Sequence, residues 1–72
     1  MEEELVKLRL KVPEDAVGRV LGELSNRGGW IDAMNRENGS VSVEARAPVI
    51  EIPDYKRWFE KYTNGKGELV VV

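Results

Sequence analysis

The chain has 72 residues and contains neither cysteine nor histidine. The first absence excludes disulfides and thiol chemistry. The second removes imidazole, the usual general base and a common metal ligand at neutral pH. Most enzyme classes lose their working groups with these two residues. Long hydrophobic runs are also missing: no segment approaches the roughly 20 apolar residues of a membrane span, and Met1 to Lys7 lacks the apolar stretch of a secretion signal. A cytoplasmic location with no membrane partner is expected. Nor is there an excess of charge of one sign, because 11 basic residues face 13 acidic ones for a net charge of -2. The chain as a whole is therefore no electrostatic magnet for nucleic acid, and any basic site must be regional. A chain this short buries only about 60% of its unfolded surface, which allows one modest core and hence a single domain over residues 1–72.

What is present is strongly patterned. In "LVKLRLKV" the apolar Val6, Leu8, Leu10 and Val12 alternate with Lys7, Arg9 and Lys11, the period-2 signature of a strand with one wet face. Pro13 fits the first turn of a helix, Glu14 and Asp15 suit its positive end, and the helix is expected to run to about Arg27. Ala16, Val17, Val20, Leu21 and Leu24 form its apolar stripe, and Gly28-Gly29 ends it. Trp30 to Arg36 reads as a second strand. Asn38-Gly39 then turns directly into a third, where Val41, Val43, Ala45 and Ala47 alternate with polar residues. "NGS" at Asn38 formally matches a glycosylation acceptor, but it reads as this hairpin turn. Pro48 and Pro53 bracket a connection, and Pro53 opens a second helix in which Tyr55, Trp58, Phe59 and Tyr62 follow helical spacing as its buried side. Asn64-Gly65 ends that helix, and "ELVVV" supplies the last strand. The order β-α-β-β-α-β predicts an α+β, ferredoxin-like sandwich: a four-stranded antiparallel sheet with two helices on one face.

Two glycines stand out, because Gly18 and Gly22 fall inside the first helix, where each costs roughly 1 kcal/mol relative to alanine. At 100° per residue they share the side away from Val17, Val20 and Leu24 with Ser25 and Asn26. A smooth outer strip would admit a partner's backbone or phosphate closely; alternatively, a loop or the second helix of the same domain packs there.

The ordered set "VPEDAVGRVLGEL", "GGWIDAM", "ARAP", Tyr55 and "YTNGKG" resembles the C-terminal (fifth) domain of elongation factor G, shared by the tetracycline-resistance ribosomal protection proteins and other translational GTPases. The resemblance covers nearly all of Leu5 to Val71. At Asn64 the familiar family sequence has glutamine, and "TNG" is closer to the ribosomal protection branch; Trp58 replaces a usual aliphatic residue. The resemblance implies a non-catalytic, ribosome-binding module that docks near the stalk base of the large subunit through rRNA and ribosomal protein, beside neighbouring domains of its parent factor. It implies GTP and magnesium in that parent and no cofactor in this domain. Consistently, no "GxxxxGK[ST]" loop occurs, and "TNGKGE" lacks the spacing and hydroxyl of a phosphate-and-magnesium site. A stand-alone ferredoxin-like regulatory or oligomerisation module is the alternative.

Candidate contacts follow from these features. Gly18, Gly22 and Asn26 mark the outer face of the first helix. Both helices are expected to run the same way, so that their C-terminal loops emerge at one end of the sandwich, where Arg27, Gly28, Gly29 and Trp30 meet Lys61, Asn64, Gly65 and Lys66, with Glu2, Glu3 and Glu4 nearby. Three cations beside loop amides and a stacking ring suit a phosphate-rich partner, although cations and glycine also simply cap helix ends. Lys7, Arg9 and Lys11 face Glu44 and Arg46 across the sheet and read as a solvated, salt-bridged surface. An RNA-recognition motif would want exposed aromatics on those two strands, which are absent. Thirteen carboxylates are present, but the pattern places no two of them in a shared cleft, so catalysis is not expected.

Overall fold

The computed structural model describes residues 4–72. Its elements are β1 (Leu5–Pro13), α1 (Val17–Asn26), β2 (Trp30–Glu37), β3 (Ser40–Pro48), α2 (Ile52–Thr63) and β4 (Glu68–Val71), with single 3-10 turns at Glu14–Ala16 and Val49–Glu51 leading into the helices. The strands form one antiparallel sheet in the order β2-β3-β1-β4. This is the ferredoxin-like sandwich that the element order predicts.

Alternation decides which face of the sheet is covered. Leu8, Leu10 and Val12 of β1 and Val41, Val43, Ala45 and Ala47 of β3 are buried under the helices, where they meet Val20, Leu24, Tyr55 and Phe59. Period-2 patterning on the two central strands therefore supplies the floor of the core, and helical spacing on α1 and α2 supplies its roof. Asn38 and Gly39 both adopt positive φ in the two-residue hairpin between β2 and β3, as that turn requires.

One boundary and one direction differ from the sequence reading. Pro13 closes β1 instead of opening a helix, because its backbone is extended (φ -60°, ψ 148°) and it pairs with Ser40 across the sheet. The α-helix then begins only after the 3-10 turn, at Val17. The second correction concerns direction. Arg27 at the end of α1 pairs with Glu51 just before α2 at 3.3 Å, and the start of α1 around Asp15 and Ala16 shares a hollow with the end of α2 at Tyr62 to Asn64. The helices are antiparallel. An odd number of chain reversals separates them, so their C-terminal loops leave at opposite ends of the sheet.

Candidate functional surfaces

The outer side of α1 is open. A Cβ built at Gly18 or Gly22 meets nothing within 4 Å, so no loop or helix of the described residues packs against either glycine. Ser25 and Asn26 are exposed beside them, while Val20 and Leu24 on the opposite side are completely buried. The strip costs helix stability, and a side chain added at either glycine would meet no neighbour among the described residues.

The α1 end gathers Arg27, Gly28 and Gly29 against the β3–α2 junction. Gly28 at φ 85° and Gly29 close the helix with bonds from their N–H groups to Ser25 and Leu24 at 3.1 and 3.0 Å. Gly29 also runs so close to β3 that an added Cβ would sit 2.8 Å from the Arg46 carbonyl and 2.9 Å from Leu24 Cγ. Arg27 is not a free cation. Its guanidinium reaches Glu23 at 3.1 Å and Glu51 at 3.3 Å and lies 5.9 Å over the Tyr55 ring. Glu4 belongs to this end, since its carbonyl accepts from Val49 N–H at 2.8 Å; Glu2 and Glu3 lie outside the described residues.

The other end is separate. Asn64 at φ 54° and Gly65 at φ 80° turn the chain out of α2, and Gly65 and Lys66 stand beside Lys11, Asn38 and Gly39 of the hairpin end. Lys61, Asn64 and Lys66 are exposed. The expected convergence of Arg27 to Trp30 with Lys61 to Lys66 is thus not found: they mark two ends of the molecule.

Trp30 lies at the α1 end but, as the first residue of β2 opposite Arg46, it is on the uncovered sheet face and not in the loop. There the Arg46 guanidinium lies 5.0 Å from the Trp30 ring and makes two bonds of 2.9 Å to Asp32. Asp32 is the extra residue of a β-bulge between Ile31 and Ala33, which turns its carboxylate to meet the arginine. The sequence reading missed this cluster, since a bulge breaks the period-2 signal that would have revealed it. The sheet face is solvated, but no carboxylate among the described residues pairs with Lys7, Arg9 or Lys11, and Lys7 lies directly opposite Arg46.

Of the four aromatics of α2, Tyr55 and Phe59 are buried and Trp58 is half-buried, whereas Tyr62 is 44% exposed. Thr63 takes the buried place expected of Tyr62, with its hydroxyl donating to the Phe59 carbonyl at 2.8 Å. The Tyr55 hydroxyl is held well above its ordinary range by burial, with Glu23 adding to the rise and Arg27 opposing it. It stays protonated and donates to the Val20 carbonyl, a structural use. Among the described residues no group of three or more acidic side chains could hold a metal ion, and no helix is long and apolar enough to cross a membrane. What these surfaces offer is contact: an open helix face, two loop ends and a cation-rich sheet face.

Comparison with known families matches residues 1–72 to the elongation factor G C-terminus. The chain belongs to that family. The crystal structure of a protein from Thermus thermophilus superposes on 97% of this chain with a TM-score of 0.87 and 30% sequence identity. The chain spans 11% of that protein's length. As an elongation factor G C-terminal domain it is a domain of translation factor type.

Proposed function

We propose that this domain is a ribosome-binding module of a translational GTPase of the elongation factor G or ribosomal protection type, contacting rRNA and protein at the stalk base of the large subunit in the cytoplasm. The single observation that carries this reading is family membership along all 72 residues. GTP and magnesium are assigned to the parent protein, beyond this domain. The mechanism is positional. A stiff sandwich presents Gly18, Gly22 and Asn26 on a flat helix face, with Gly28 and Gly29 at one end and Lys61, Asn64, Gly65 and Lys66 at the other, while the GTPase reaction takes place elsewhere. The open glycine strip supports the reading because it gives up about 1 kcal/mol per glycine for a surface that something outside the domain can approach closely. Arg27 serves this arrangement indirectly, by fastening the Gly28-Gly29 loop to α2.

The test is cosedimentation of the intact protein with large ribosomal subunits at low salt. Gly18→Leu combined with Gly22→Leu fills open space, leaves the fold intact and is expected to abolish association by steric block. Undiminished association of that variant overturns the assignment of the helix face, and failure of the unmodified protein to associate overturns the reading itself.

A further inference from the structure

The aromatic side chains of α2 form a ladder from the core to solvent. Tyr55, buried against α1, stacks on Trp58 with centroids 5.8 Å apart and planes inclined by 18°. Trp58 in turn stacks on Tyr62 at 5.0 Å and 5°, nearly parallel. Tyr62 is 44% exposed, so the ladder is open at its outer end. That end borders a hollow lined by Pro13, Asp15, Tyr62, Asn64 and Lys66.

The core does not explain the last rung. Thr63 fills the buried position of the final helical turn, and an exposed helix position holds lysine, glutamate or leucine at least as well as tyrosine. A ring fixed in a parallel stack has already given up its rotamer freedom, so a flat ligand laid near it costs little further side-chain ordering. Lys66 places a cation on the rim of the same hollow, which suits a phosphate. Asp15 repels phosphate but accepts a hydrogen bond from an exocyclic amino group, as base edges present. A platform ring, a cation and an acceptor together match a single nucleotide: base, phosphate and edge.

We infer that Tyr62, backed by Trp58, is a stacking platform for one unpaired nucleotide of ribosomal RNA, with Lys66 beside its phosphate. This inference rests on the ribosome-binding role proposed above and assigns an RNA contact to the Lys66 end of the domain. Single-strand recognition of this kind draws its affinity from stacking and tolerates sequence variation.

The experiment uses the intact protein and large ribosomal subunits. With p-benzoylphenylalanine at position 62, irradiation is expected to give a cross-link to an unpaired nucleotide of the large-subunit RNA, mapped by a primer-extension stop. Tyr62→Ala is expected to weaken association about tenfold, the size of a lost base–aromatic stack, while Tyr62→Phe stays within about twofold. Tyr62→Ala is expected to melt several degrees lower through loss of the stack on Trp58 while remaining cooperatively folded, since the ring is outside the core; association is therefore compared at a temperature well below both transitions. A cross-link to protein alone, no cross-link despite association, or full affinity in Tyr62→Ala each overturns the platform and leaves the ribosome-binding role standing. An unmodified protein that does not associate overturns both.

Discussion

The Tyr55 hydroxyl donates to the Val20 carbonyl at 2.9 Å, joining two helices at positions 35 residues apart. Together with the Arg27 pair to Glu51 at the entry to α2, it fixes α1 and α2 to one another above the sheet. A rigid helix layer is what allows the open face of α1 and the two loop ends to hold a constant spacing. Tyr55→Phe keeps the ring and removes only this bond. The expected loss is about 1 kcal/mol, seen as a lower urea midpoint with an unchanged slope.

The same hydroxyl gives a pH signature. Burial first, then Glu23, raises its folded pKa above the unfolded value of about 10, partly opposed by Arg27. Its contribution to stability is therefore complete below about pH 10 and is lost as pH rises from there toward the folded value, because the unfolded chain releases the proton first. Denaturant titrations from pH 8 to 11 are expected to show a steeper alkaline fall for the unmodified domain than for Tyr55→Phe. Equal falls in the two would show that this group does not report folding.

Glycines at four positions separate by what surrounds them. Gly18→Ala and Gly22→Ala enter open space in a helix, and each is expected to add up to about 1 kcal/mol, or several degrees of melting temperature in a domain of this size. Gly29→Ala and Gly67→Ala run into backbone and core atoms at 2.8 Å and 2.9 Å respectively, and each is expected to cost about 1–3 kcal/mol. Thermal melts of the four single variants check both signs.

The elements that the sequence announces correctly are those where one local signal suffices: the alternation of Leu8, Leu10 and Val12, the Asn38-Gly39 hairpin, and the Gly28-Gly29 cap. Errors arise where two elements must be considered together. Each helix returns antiparallel to the strand before it, and β1 and β3 are antiparallel, so α1 and α2 must oppose one another; the chain order contains this, but no residue displays it. Tyr62 shares a helical stripe with Tyr55 and Phe59, yet the buried arc follows Tyr55, Phe59 and Thr63 and leaves Tyr62 exposed. Trp30 is read correctly as the start of the second strand, but its place beside Arg46 on the uncovered face shows only in the strand register. The exposed surface of α1 was legible because amphipathic spacing specifies both sides of a helix at once.

The separation of the two loop ends yields a distinction in salt dependence. Lys61 and Lys66 are exposed and, among the described residues, have no carboxylate partner within ion-pairing distance. Each can therefore neutralise an RNA phosphate and release its counterion. Arg27 is held by Glu23 and Glu51 and is already compensated. Plots of the logarithm of ribosome affinity against the logarithm of salt concentration are expected to become shallower by roughly two for Lys61→Ala combined with Lys66→Ala, about one for each phosphate contact removed. Arg27→Ala is expected to leave the slope unchanged while lowering the unfolding free energy by about 1 kcal/mol, the scale of a partly exposed ion pair. A slope change in Arg27→Ala with none in the lysine pair would reverse the assignment and place the phosphate contact at the opposite end of the sheet.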